Sequence, residues 1–249
     1  MAPKWQVLAD TLRAQIDDGT YPPGAALPPM DALVAQGEGS RTTVHQAYRA
    51  LEAGGYVVMA PRRGTVVRDR TPIRVPLSRY GRVLRPGGTR GPWETATAAQ
   101  GLDGQMRTTG VATELPPADV ADALGLAPDE LAVRRSRHAT IGDTVVQIQT
   151  AWYPRDIAER TGLDSPQKVI GGVFGAMTAA GMPPRTADEI VTARMPTPDE
   201  STVLAIGHGI PVLYVQRITK DRAGRALEAL LITGTADRLR LIYDGLPLR

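Results

Sequence analysis

The chain has 249 residues, 42% of them hydrophobic and 22% charged, with a formal net charge of +3. That balance supports packed cores in two ordinary domains and excludes a disordered or fibrous chain. There is no cysteine, and the three histidines, His45, His138 and His208, are scattered; disulfides, thiolate metal sites and a cysteine nucleophile are excluded, and no metal or cofactor is expected.

The N-terminal stretch MAPKWQVLADTL lacks the apolar core of a signal peptide. No run reaches the roughly eighteen apolar residues of a membrane span, so a cytoplasmic protein without membrane contact is expected. The charge is unevenly spread. Residues 1–70 hold 8 basic and 7 acidic side chains, residues 71–92 hold 5 and 0, and residues 93–249 hold 16 and 19. The basic excess lies in the first third, where a nucleic-acid surface would sit.

Trp5, Leu8, Leu12 and Ile16 recur at helical spacing, and Gly19 with Tyr21-Pro22-Pro23-Gly24 ends that first helix. A second short helix fits residues 31–36, and Gly37-Glu38-Gly39 makes a turn. Ser40 is a good N-cap for a third helix over 41–53, in which Val44, Ala47, Tyr48 and Leu51 form an apolar stripe. After Gly54-Gly55, residues 56–59 and 65–68 read as two short strands turning at Pro61-Arg62-Arg63-Gly64. Three helices followed by a basic-tipped hairpin predict a winged helix over residues 1–70.

Residues 71–92 hold eight Pro or Gly and no acid, which predicts a linker containing one short strand. Residues 93–249 contain a repeat at an offset of 80. Ala99-Gln100-Gly101-Leu102 recurs as Ala179-Ala180-Gly181-Met182, Leu115-Pro116 as Met195-Pro196, and Arg137 as Arg217. Two copies of a helix–strand–helix–strand unit are expected, with strands near 105–114, 131–139, 144–152, 188–195, 212–220 and 227–233. Such copies pack into one continuous mixed sheet with a cleft where the halves meet. The fold class is α+β.

A helix that reads the major groove needs hydrogen-bond donors on its exposed face near its N-terminus. Arg41, Thr42, Thr43, His45 and Gln46 supply them, and Arg49 extends the face. Arg62 and Arg63 beside Gly64 place further donors at the wing tip, where backbone can approach phosphate or enter a minor groove. Taken singly, each arginine reads as ordinary surface solvation. Together they charge both contact points of a winged helix.

These segments carry a resemblance. LRAQIDDGTYPPGAALP, SRTTVHQAYRALEAGGYV and RRGT, within residues 6–67, resemble the DNA-binding domain of the GntR family of transcription regulators. The resemblance implies that Arg41, Thr42, Thr43 and Gly64 contact DNA. Two departures stand out. Pro29-Met30-Asp31 replaces the usual Ser-Glu-Arg, putting an acid in place of a phosphate-contacting arginine, and His45 stands where arginine is usual, raising a pH dependence.

Residues 91–245 resemble the UTRA ligand-binding domain of the HutC-like branch, which has a chorismate lyase-like fold. The segments that carry this are PWETATAAQGL, LPPADVADALGL, VRRSRHATIGDTVVQIQTAWYP, ADEIVTARMPTPDESTVLAI and ADRLRLIYD. The resemblance implies an effector between the two halves of residues 93–249, held by Arg135 and Arg137, by Gln147 and Gln149, and by Glu228. Chemically these are fork donors for carboxylate or phosphate, amides for hydroxyls, and one acceptor, a set that suits an acidic effector. Gln149 stands where glutamate is common, and Leu230-Leu231 stands where polar or basic residues are common, so a more apolar pocket than that of a sugar-phosphate sensor is expected.

The expected protein is therefore a homodimeric regulator that binds a palindromic DNA operator under the control of a small molecule. Two other readings stay open. One is a constitutive repressor of the plasmid-maintenance or conjugation type, without effector. The other is an enzyme, given the lyase-like fold, although no nucleophile–base pair, metal set or phosphate-cradling loop is present.

Overall fold

The computed structural model describes residues 2–60, 63–76, 90–169 and 171–244. Contacts group the chain into two compact units, Met1–Pro72 with Met195–Pro211, and Ile73–Arg194 with Val212–Arg249.

In the first unit, α1 (Lys4–Asp17), α2 (Met30–Ala35) and α3 (Arg41–Ala53) precede the antiparallel hairpin β1 (Val57–Ala60) and β2 (Gly64–Val67). Helix α3 begins where predicted because the Ser40 hydroxyl accepts from Thr43 N–H at 3.2 Å, satisfying one of the otherwise unpaired donors of the first turn. Its predicted stripe of Val44, Ala47, Tyr48 and Leu51 is buried against Leu8, Leu12 and Ile16 of α1, closing one core with Leu27, Leu33 and Val57. Trp5, predicted in that stripe, is only half-buried. The base of the wing is pinned by Arg68, which donates to the Gly55 carbonyl at 3.0 Å, and by Arg70, which meets Asp17 at 2.8 Å and lies over the Tyr56 ring.

The segment Met195–Pro211 belongs to this unit although it falls inside the predicted 93–249 region. Glycine makes the approach feasible. A Cβ on Gly207 or Gly209 would sit 2.8 Å from the carbonyl oxygens of Glu52 and Ala53. Within the segment, α8 (Pro198–Leu204) is capped at both donors by a Thr197–Glu200 capping box.

In the second unit, β3 (Ile73–Pro76) arises from the predicted linker and pairs in parallel with β10 (Leu239–Ile242). Residues 77–89 of that linker lie outside the described residues. The remaining elements are α4 (Pro92–Ala98), β4 (Gly104–Glu114), α5 (Ala118–Leu124), β5 (Ala132–Ile141), β6 (Thr144–Pro154), α6 (Arg155–Thr161), α7 (Gly172–Ala179), β7 (Thr186–Arg194), β8 (Val212–Lys220) and β9 (Ala226–Thr235). Strands β4 to β9 form one sheet in the order β4-β5-β6-β9-β8-β7, antiparallel throughout, so the parallel component of the unit is the separate β3–β10 pair.

That order is a palindrome, and it is the 80-residue repeat made visible. Helices α4 and α7 start at Pro92 and Gly172, α5 and α8 at Ala118 and Pro198, and β5 and β8 at Ala132 and Val212, each pair 80 residues apart. Each copy carries a third strand beyond the helix–strand–helix–strand unit, β6 in one and β9 in the other, where strands were expected near 144–152 and 227–233, and these two pair at the centre.

Candidate DNA interface and ligand cavity

Helical periodicity sorts the side chains of α3. With the apolar stripe inward, Arg41, Thr42, His45, Gln46 and Arg49 are all exposed on the opposite face, and Thr43 is half-buried with its hydroxyl 3.0 Å from Ser40 Oγ. Arg41 Nη1 lies 3.3 Å from Asp31 Oδ1, and Arg49 Nη1 lies 3.3 Å from Glu52 Oε2. Arg63 and Gly64 are exposed at the start of β2; Gly64 takes a φ of +75°, with open space around it, so backbone is presented at the wing tip. Arg62 lies outside the described residues. Arg68 and Arg70 are held at the base of the wing, and Arg13 pairs with Asp10 on the exposed side of α1.

The second unit holds a cavity of about 130 Å³ on one face of its sheet. Strand alternation puts Arg135 and Arg137 on the same face, and register extends two rows across the sheet. One row runs Thr108, Arg137, Gln149, Ile232, Val215, and the next Val111, Arg135, Ala151, Leu230, Arg217, Glu189. All five residues named from the sequence, Arg135, Arg137, Gln147, Gln149 and Glu228, line the cavity and are buried. Both copies contribute, with β5 and β6 from one and β8 and β9 from the other, and Trp93, Met106, Phe174 and Leu239 close the apolar walls.

The three buried guanidiniums that line the cavity differ in their partners. Arg135 is consumed by the backbone after α6: its Nη atoms donate to the carbonyls of Leu163, Ser165 and Gln167, and to Thr108 Oγ1 at 2.9 Å. Burial pulls its pKa below the ordinary arginine value, opposed by the Tyr153 phenol and reinforced by the like charge of Arg137. Arg217 is paired with Glu189, donating through Nε at 2.5 Å, and Glu189 also accepts from Tyr243 at 3.2 Å. Arg137 is 9% exposed, its Nε is buried without a hydrogen-bond partner, and no carboxylate pairs with it among the described residues.

The acceptor side is ordered as well. Glu228 accepts from Tyr153 Oη at 2.7 Å and from Thr219 Oγ1 at 3.4 Å, and Gln149 Nε2 donates to Gln147 Oε1 at 3.0 Å. Burial, and after it the neighbouring Glu228 charge, hold the Tyr153 phenol well above its ordinary pKa, so it stays a donor. Lys168 and Glu94 face each other at 4.0 Å.

Arg217 and Glu189 went unnamed as site residues in the sequence, although the repeat already matched Arg137 with Arg217. Tyr153 and Trp93 carried no sequence signal beyond being apolar strand and helix positions. Trp152 packs in a core with Val120 and Leu124, Phe174 serves both a core and the cavity wall, and Tyr214 lies under the Arg194 guanidinium at 4.9 Å. Among the described residues, no helix is long and apolar enough to cross a membrane, and no cluster of three or more metal-ligating side chains occurs.

A capped helix with an exposed polar face beside a glycine-tipped wing, in one chain with a two-copy sheet that walls a cavity, defines a winged-helix regulator with a ligand-binding domain. Residues 5–67 match the family model for bacterial regulatory proteins of the gntR family, and residues 99–240 match the UTRA domain. An uncharacterized HTH-type transcriptional regulator of Streptomyces coelicolor is 32% identical over 98% of this chain and 93% of its own length. An HTH-type transcriptional regulator of Mycobacterium tuberculosis is 26% identical over 93% of this chain and 81% of its own length. A crystal structure assigned to the GntR family is 28% identical with a TM-score of 0.62, covering 99% of this chain and 98% of that one. PhnF from Mycobacterium smegmatis, 22% identical with a TM-score of 0.61 over 96% of this chain and 99% of that one, shares the fold. The chain belongs to the GntR family of transcription regulators and carries a UTRA effector-binding domain.

Proposed function

We propose that this regulator is a homodimeric repressor that binds a palindromic duplex operator and is released from it by an acidic small molecule. Two recognition helices must meet two half-sites about one helical turn apart, which requires a two-fold assembly. Arg41, Thr42, Thr43, His45, Gln46 and Arg49 read the major groove, and Arg62, Arg63 and Gly64 contact the backbone or minor groove at the wing. The effector sits among Arg135, Arg137, Gln147, Gln149 and Glu228, and no catalytic step is assigned to the cavity.

The observation that carries the effector is Arg137. A guanidinium taken out of water without a partner is costly, and an anion repays that cost only in the bound state. The constitutive reading leaves this group unexplained. The test is selection of bound duplexes from a random library by the full-length protein, followed by gel shifts of the selected duplex in the presence of acidic metabolites. A palindromic motif whose complex is dissolved by an acid supports the reading. Failure to enrich any duplex at moderate salt overturns the DNA half, and a complex indifferent to every acid overturns the effector half.

A further inference from the structure

The charges around the cavity also limit the ligand itself. Resting on the reading of the cavity as the effector site, we infer that the effector is a monocarboxylate with a compact hydrocarbon body, about the size of one aromatic ring, and not a phosphorylated sugar.

The cavity wall carries four cations, Arg135, Arg137, Arg217 and Lys168, and three carboxylates, Glu94, Glu189 and Glu228. Arg217 is neutralised by Glu189, and Lys168 faces Glu94. Arg135 is saturated at its Nη atoms by backbone carbonyls and the oxygens of Glu228 are held by two hydroxyls, so these two charges cancel by count without pairing directly. One positive charge, that of Arg137, is left over. Its planar fork matches a carboxylate in two parallel hydrogen bonds, and the adjacent amide pair Gln147–Gln149 offers further polar atoms to the same group. A phosphomonoester brings a second negative charge with nothing left to meet it away from water.

Beyond this polar end the wall is hydrocarbon: Trp93, Met106, Phe174, Leu230, Ile232 and Leu239. A sugar would bury its hydroxyls there without partners, whereas an aromatic or short aliphatic body fits. The volume of about 130 Å³ is of the order that accommodates one benzene-sized ring.

The test is calorimetric titration of the full-length protein at pH 8 with benzoate, phenylacetate and hexanoate. Benzamide serves as the neutral analogue, and phenyl phosphate and glucosamine 6-phosphate as the dianions. At least one monocarboxylate is expected to bind at least tenfold more tightly than benzamide and than either phosphate, and Arg137→Gln is expected to erase that preference. Arg137→Gln removes a buried unpaired charge, so its thermal midpoint is expected to be unchanged or raised. The comparison of anions on the wild-type protein needs no variant. Tighter binding of either phosphate, no binding by any carboxylate, or an Arg137→Gln variant that keeps the preference overturns the inference. If a phosphate releases the selected duplex, operator control stands and the monocarboxylate assignment falls. If a carboxylate binds but the duplex complex is untouched, the assignment stands and operator control falls.

Discussion

Asp31 Oδ1, in the first turn of α2, lies 3.3 Å from Nη1 of Arg41, the first residue of the recognition helix. Both side chains are largely exposed, so the pair contributes little to stability, about 0–1 kcal/mol. Its consequence falls on DNA binding. On the proposed reading the carboxylate competes with DNA for Arg41 and adds a negative charge beside the polyanion. Asp31→Asn is expected to tighten binding of the selected duplex by about threefold to tenfold. It should also steepen the log–log salt dependence by about one charge. Anisotropy titrations at several salt concentrations check this; an unchanged slope would mean that Arg41 does not meet phosphate in the complex.

A buried phenol ties α3 to the segment before α2. Tyr48, 2% exposed, donates from its phenol to the Pro28 carbonyl, just before α2. Tyr48→Phe leaves that carbonyl unpaired in a part-buried position and is expected to lower the stability of the first unit by about 1–2 kcal/mol. Ser40→Ala, which removes the N-cap, is expected to cost about 1 kcal/mol. Urea unfolding followed by hydrogen-exchange protection of α3 reads both, because it separates this unit from the other.

Much of this unit was legible in the sequence because its signals are local. A cap, a stripe at helical spacing and a glycine-bounded hairpin each sit within a few residues, and α3 begins and ends at the predicted residues 41 and 53. That two copies share one sheet was legible for a different reason, since they repeat one set of spacings, whereas the strand order and its antiparallel pairing were not. What stayed hidden depends on pairings across long separations. Nothing near Arg135 announces that the carbonyls of Leu163, Ser165 and Gln167 consume it while Arg137 stays unpaired. The strand at Ile73–Pro76 is defined by a partner more than 160 residues away, and the docking of Met195–Pro211 rests on two glycines whose role appears only against Glu52 and Ala53.

Two buried phenols set the alkaline limit. Burial, and then the neighbouring Tyr21, push Tyr48 up to about 12, and burial with Glu228 drives Tyr153 well above its ordinary value. A phenol whose folded pKa is raised stabilises the protein below its unfolded pKa near 10, and that contribution is lost as pH rises towards the folded value. Absorbance titration at alkaline pH is expected to leave two tyrosines silent through pH 10, with their ionisation coinciding with unfolding. Tyr48→Phe is expected to leave one.

On the acid side the sign reverses. Burial lowers the pKa of His138 on β5, so the unfolded chain takes up a proton more readily than the folded one. The contribution is present above the unfolded pKa of about 6.5 and is lost as pH falls below it. His138→Gln is expected to flatten the fall in thermal midpoint between pH 6.5 and 5. An unchanged profile would place the acid sensitivity elsewhere.

The cavity wall depends on a close approach far from the polar end. Gly104 opens β4 against α4, and a Cβ there would lie 2.0 Å from Thr97 Oγ1 and 2.6 Å from Thr97 Cβ. Thr97 cannot swing aside: it is fully buried, β-branched, and donates to the Trp93 carbonyl at 2.8 Å. The shift must therefore be taken by α4, and Trp93, which donates to the Thr140 carbonyl at 3.2 Å and walls the cavity, moves with it. Gly104→Ala is expected to destabilise the second unit by about 1–3 kcal/mol and to weaken benzoate binding. Gly110→Ala on the same strand, with open space where its Cβ would go, is expected to leave both unchanged. Binding of the selected duplex without ligand should be the same in both variants, because the recognition helix is held by contacts of the first unit. If Gly104→Ala weakened that binding as much as it weakened benzoate binding, the effect would be global destabilisation and not a displaced cavity wall.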